Sequence, residues 1–233
     1  MLLNSVLNSI FPPRCISCAD VLPVNYLWQL CPPCDSSLER CDNSGANLNF
    51  SLYIYNDTIR QAIHNFKYNS RPKHGVFLGS LMAEYANEVL PRNIAIDMVI
   101  PIPLHKTKQR ERGFNQAKIL AHAICTPLNL NLNTSVLERT RNTSRQADLN
   151  ITERAENLEG AFTVQDPLAV SGKNILLIDD ILTTGSTIQA CRAELLAFGA
   201  NRVLSYSLAH APLESTRDTQ ASRKNNIHDT LAR

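Results

Sequence analysis

The sequence predicts an α/β protein, with a mostly parallel sheet flanked by helices and a small cysteine-rich module in front of it. Three observations lead there. Short apolar strands alternate with amphipathic helical stretches from about residue 50 to residue 209, the pattern of a parallel sheet covered on both faces. Asn174 to Ile178 is a fully apolar strand that runs into two acids, a hydroxyl-rich turn and another helix. Ahead of all this, four cysteines fall in two Cys-x-x-Cys pairs.

The chain of 233 residues can bury one ordinary core with a small appended unit. With 44% hydrophobic and 19% charged residues it reads as a globular protein, neither fibrous nor disordered. A formal net charge of +2 is too small to make the whole chain a polyanion binder, so such a role has to rest on local clustering. The apolar runs are too short to span a bilayer, and no secretory leader is recognisable at Met1 to Val6, so no membrane insertion and a cytoplasmic location are expected. Leu3, Val6, Leu7 and Ile10 have the spacing of a short amphipathic helix.

Cys15 and Cys18 are followed after twelve residues by Cys31 and Cys34, a spacing that brings four thiolates to one tetrahedral zinc ion. Free thiols or a redox dithiol are the alternatives, and Pro32 and Pro33 remove two amides that could support the sulfurs. Cys41 is a possible substitute ligand. A four-cysteine site has no open position, so its expected role is structural. Cys125 and Cys191 lie on apolar helical stripes and read as core residues.

Beyond the module, Phe50 to Tyr55 alternates as a strand, and Asn56 or Asp57 caps a helix with Ile59, Ile63 and Phe66 on one face. Val76 to Leu90 forms a second helix, with Leu78, Met82, Tyr85 and Val89 as its stripe and Pro91 as its stop. A strand covers about Asp97 to Ile102. The basic stretch after it holds Lys106, Lys108, Arg110, Arg112 and Lys118 against Glu111 alone. These cations, with Phe114, suit pyrophosphate or the backbone of single-stranded nucleic acid, unless they simply form a solvated face.

A helix from Asn115 to Cys125 is expected to stop before Pro127, and Asn133 to Asn157 reads as a long mobile loop. Ile188, Cys191, Leu195 and Phe198 give the last helix its apolar face, ended by Gly199, and Arg202 to Ala209 is the final strand. The domains expected are residues 1–46 for the module, 47–212 for the α/β unit and 213–233 for a disordered polar tail.

The most specific stretch is Ile175 to Thr187. Asp179 and Asp180 stand at the end of the strand, where open α/β sheets place ligands, and carboxylates there accept hydrogen bonds from sugar hydroxyls or help hold magnesium. Thr183, Thr184, Gly185, Ser186 and Thr187 open the next helix, whose free N–H groups and dipole favour an anion. A simple helix cap needs one Ser, Thr or Asp and leaves most of this run unexplained. Neither Walker A nor GxGxxG fits.

Ile175 to Thr187 resembles the signature of the type I phosphoribosyltransferases. The wider chain is similar to the ComF family through Phe11 to Cys15, Phe66 to Tyr68, Ile100 to Pro103, Arg112 to Gln116 and Glu153 to Asn157. The resemblance implies a phosphoribosyltransferase-like fold that binds phosphoribosyl pyrophosphate and magnesium. Asp179 and Asp180 would meet the ribose hydroxyls and Thr183 to Thr187 the 5′-phosphate. Pro103, Leu104, His105 and Lys106 correspond to the pyrophosphate loop, and Arg139 to Gln146, with Arg141 as a catalytic candidate, to a closing loop. It further implies a role in natural transformation on single-stranded DNA, with another DNA-uptake protein as a possible partner. An active transferase with an amine or base acceptor and an adaptor docking through the zinc module are the other readings. The chain departs from the family's fuller cysteine pattern, since Cys41 is followed at the pair spacing by Ser44, and no cysteine follows Met1, so no glutaminase activity is expected.

Overall fold

The structure, a computed structural model, describes residues 12–23, 26, 28–68, 72–141, 158 and 160–211. The expected N-terminal helix, the polar tail, residues 142–157 and Phe11 lie outside the described residues.

In chain order the elements are α1 (Pro32–Ser36), β1 (Asn49–Ile54), α2 (Asp57–Tyr68), α3 (Pro72–Val89), β2 (Met98–Pro101), α4 (Lys106–Arg112), α5 (Gln116–Leu128), β3 (Leu137–Arg139), β4 (Phe162–Val164), α6 (Pro167–Val170), β5 (Asn174–Leu182), α7 (Ser186–Ala197) and β6 (Arg202–His210). β1, β6, β5 and β2 form a parallel sheet in that order, and β3 pairs with β4 antiparallel. The α/β class with a mostly parallel sheet holds.

Side chains alternate across this sheet and so build two cores. Leu176 and Ile178 of β5, with Leu204, Tyr206 and Leu208 of β6, face α2, α3 and α5. Ile175, Leu177 and Val203 face Ile188, Cys191 and Leu195 of α7 and the small β3–β4 sheet. Tyr206 is wholly buried, and its hydroxyl donates to the Met82 carbonyl at 3.1 Å, satisfying the one polar atom it brings inside. Arg192, buried on α7, ties Val203 of β6 to Asn49 and Leu48 at the start of β1.

The free side of edge strand β1 is covered by the chain leaving the cysteine module. The Cys41 amide donates to Leu52, and the Ile54 amide to Glu39, so part of this edge is paired. The module is therefore joined to the sheet as well as packed on it, with Ile16, Leu22 and Leu30 in the same core as Ile59, Ile63 and Phe66.

Several expectations need correction. α3 begins at Pro72, four residues before the expected start. Pro127 lies inside α5, near its C-terminal end, and the helix closes on Asn129 with φ 51°. The segment read as a loop from Asn133 holds β3, with Val136 and Leu137 buried. Phe198 is 38% exposed and caps α7, because the apolar stripe outlasts the helix by one residue. β5 continues past Ile178 to Leu182, since β6 pairs beside it as far as His210.

Candidate functional site

The cysteine module first forms a hairpin. The amide of Cys15 donates to Asp20, that of Ala19 donates back to Cys15, and Ala19 takes the left-handed conformation the turn needs, with φ 66°. The second pair sits at α1, where Pro32 occupies the first helical turn and costs no helical hydrogen bond. The prolines thus shape the second pair without breaking it.

The four sulfurs of Cys15, Cys18, Cys31 and Cys34 lie within 4.8 Å of one another. Tetrahedral zinc at about 2.3 Å from each sulfur needs sulfurs about 3.8 Å apart, so this donor set can hold a zinc ion with modest tightening. Burial opposes ionisation of Cys15, but amides of Cys31, Cys18 and Ser17 outweigh it and bring the thiol down to about 7. Burial, and after it the Cys31 thiol, push Cys34 up. Cys41 stands outside this group, and burial raises its thiol to about 11.

At the other site, β5 carries Asp179 and Asp180 inside the strand rather than beyond it. Its neighbour β2 stops at Pro101, opposite Ile178, so the acids protrude past that neighbour while β6 still supports them on the other side. Alternation sends Asp180 to the α2 side of the sheet and Asp179 to the α7 side. The Asp179 carboxylate accepts from the Asp180 amide at 2.8 Å.

Thr183 to Thr187 follow as a tight turn. Gly185, at φ 77°, immediately precedes α7, and the Thr184 and Ser186 hydroxyls lie 2.9 Å apart. This run is half-buried apart from Thr183, which is exposed, and it sits at the N-terminus of a twelve-residue helix. The Ser186 amide donates to the Thr184 hydroxyl at 3.4 Å, and the amides of the first turn, the hydroxyls and the dipole converge at one helix end.

Pro103, Leu104, His105 and Lys106 leave β2 at the same end of the sheet, because β2 is the direct neighbour of β5. Asn115 holds this turn by donating to the Ile102 carbonyl at 3.0 Å. His105 caps α4, accepting from the Thr107 amide at 3.3 Å, and the Lys106 ammonium reaches Glu138 of β3 at 2.7 Å.

Helix α4, within the basic stretch, buries no residue and displays Lys106, Lys108, Arg110 and Arg112. Phe114 stacks on Phe66, with ring centroids 5.5 Å apart, so one of its faces is occupied by the core. Tyr68 is 63% exposed instead, beside His64 and with the Arg112 guanidinium 5.6 Å from its ring centroid. Arg141 is exposed just beyond β3, and Arg145 and Gln146 of the expected closing loop lie outside the described residues.

Sequence reasoning gave Lys67 no role. Its ammonium is 2.6 Å from the Asp180 carboxylate, and each side chain is only 13% exposed. The available signals were its place in the Phe66 to Tyr68 stretch that carries the family resemblance and in the last turn of an amphipathic helix, and neither says that it reaches an acid of β5.

A model of the phosphoribosyl transferase domain matches residues 81–229. Competence protein F of Haemophilus influenzae is 34% identical over 121 residues, covering 49% of this chain and 51% of that protein. Competence protein ComFC of Bacillus subtilis is 30% identical over 164 residues, covering 69% and 63%. DNA utilization protein YhgH of Escherichia coli O157:H7 is 30% identical over 151 residues, covering 64% and 66%. The matches thus span between about half and two thirds of these relatives' lengths. Among solved structures, the glutamine phosphoribosylpyrophosphate amidotransferase of Bacillus subtilis, complexed with ADP and GMP, aligns with a TM-score of 0.42 and 17% identity, over 61% of this chain and 30% of that one. Among the described residues no helix is long and apolar enough to cross a membrane. These relatives bear out the ComF resemblance, and with the domain model matching well over half of its residues the chain belongs to the phosphoribosyl transferase domain family.

Proposed function

We propose that the chain binds phosphoribosyl pyrophosphate with magnesium and serves the handling of incoming single-stranded DNA in the cytoplasm, as a competence protein of the ComF type. The observation that carries the ligand is the juxtaposition of Asp179 and Asp180, protruding past β2, with the hydroxyl turn at the start of α7. Its two halves suit a sugar phosphate: carboxylates accept from ribose hydroxyls, and the helix end donates to the 5′-phosphate. Pro103 to Lys106 flank the acids on the β2 side, where a pyrophosphate would extend.

Asp179 and Asp180 supply the oxygen donors that a magnesium ion prefers. Bound there, magnesium would add the charge that neutralises pyrophosphate and eases its departure from the anomeric carbon. The chain's own part is to hold the ribose by the two acids and the phosphate by the turn, so that the anomeric carbon is presented in one orientation.

The cations of α4, of which Lys106 and Arg110 are exposed, with Tyr68 beside Arg112 and His64 against Tyr68, support the nucleic-acid part of the reading. Aromatic faces stack on bases and cations neutralise phosphates.

Titration calorimetry of magnesium and phosphoribosyl pyrophosphate into the parent and into Asp179→Asn with Asp180→Asn tests the ligand. Heat from the parent alone is expected, and silence from both proteins overturns the reading. For DNA, replacing Arg110 and Arg112 by alanine should lower the salt dependence of single-strand affinity by about one to two in slope. An unchanged slope removes α4 from the interface.

A further inference from the structure

We propose that α2 couples the cysteine module to the ligand site, with Lys67 as the positioning residue that holds Asp180. The coupling rests on assigning Asp180 to the ligand site.

The helix touches the module along most of its length. Near its start, the Ser17 hydroxyl donates to the Thr58 carbonyl at 3.1 Å, the Ser37 and Thr58 hydroxyls lie 2.7 Å apart, and the Asn56 amide group donates to Ser37 at 2.7 Å. Near its end, Asn65 donates to the carbonyl of Ile16 at 2.8 Å and to that of Ser17 at 3.4 Å. Ile16 and Ser17 are the two residues between Cys15 and Cys18, so the first knuckle grips α2 directly. Two residues after Asn65, Lys67 turns inward to Asp180.

Stability alone does not account for such a pair. Taking both charges out of water costs most of what their attraction returns, and an apolar pair of similar size often serves as well. What the pair does supply is a fixed carboxylate. An ammonium has three donors, so Lys67 can hold Asp180 and still meet a ligand oxygen. Ordering the knuckle around a zinc ion fixes the Ile16 and Ser17 carbonyls, these fix Asn65, and the last turn of α2 then delivers Lys67.

The side-chain ammonium resonances of 15N-lysine-labelled, zinc-loaded protein test this without any sugar ligand. A Lys67 signal, assigned by its loss in Lys67→Arg, is expected to be slowed in exchange by its carboxylate and to disappear in Asp180→Asn. Chelating the zinc should weaken it, and so should Asn65→Ala, which leaves all four cysteines in place and whose circular dichroism should match the parent. A Lys67 signal indifferent to both zinc and Asn65→Ala, or absent from the loaded parent, overturns the coupling. Calorimetry then reads the consequence: Lys67→Met and Asn65→Ala should each bind magnesium and phosphoribosyl pyrophosphate about tenfold more weakly, with Lys67→Arg restoring most of the affinity. Unaltered affinity in both overturns the role of Lys67 at the ligand. A parent that binds no phosphoribosyl pyrophosphate sinks the ligand reading, while the resonance still decides whether α2 couples the two sites.

Discussion

Gly185 shows how closely the backbone of the acidic motif is specified. A side chain there would meet nothing nearer than Leu182 Cδ1 at 3.6 Å, so space does not demand glycine. The φ of 77° does, because a Cβ in the left-handed region crowds the carbonyl oxygen and costs about 1–2 kcal/mol. Gly185→Ala should therefore lower the urea midpoint by the equivalent of that cost, and an unchanged midpoint would show that the turn can relax. Lys67 is the counter-example. Its stretch, Phe66 to Tyr68, carries part of the family resemblance, but no residue type or spacing there announces a charge that folds inward onto the far end of β5, and only the geometry brings it 2.6 Å from Asp180. Phe114 shows the same limit from the other side. An aromatic next to four cations suggests stacking on a base, but the adjoining core supplies Phe66 as its partner.

At the scale of elements, α3 and α5 lie close enough that Gly79 has no room for a methyl group. A Cβ there would stand 2.6 Å from the Ala123 Cβ and 3.1 Å from the Leu120 carbonyl oxygen. Alanine would gain about 1 kcal/mol in helix propensity, but forcing the helices apart costs about 1–3 kcal/mol, so Gly79→Ala should be net destabilising. A raised thermal midpoint in that variant would contradict the packing. Elements with strong apolar periodicity were legible in the sequence: β5, β6, α2 and most of α7 stand close to where the pattern puts them. Those without it were not. β3 and β4 are three residues each, too short to show alternation, and α4 is a helix of seven polar residues with no stripe at all. The far end of β5 was hidden for a different reason: its acids look like the end of a strand, and only the long partner β6 keeps them within it.

For the whole molecule, the described part of the cysteine module behaves as part of the α/β unit. Its Cys15, Ile16, Leu22, Leu30 and Cys31 share a core with α2 and the sheet, and its exit segment pairs with edge strand β1. Removing zinc should consequently lower the midpoint of the main unfolding transition, by on the order of 10 °C, rather than melt a separate small unit. Calorimetry that showed a separate early transition and an unmoved main one would contradict this. The cysteine spacing made the module visible in the sequence, whereas its union with the sheet edge depends on pairings that no local pattern encodes.

The most direct test of the central claim is to follow backbone amide resonances while magnesium and phosphoribosyl pyrophosphate are added. The account predicts shifts concentrated at Asp179, Asp180 and Thr183 to Thr187, with a second group at Leu104 to Lys106. Shifts confined to other elements, or none at saturating ligand, would contradict it.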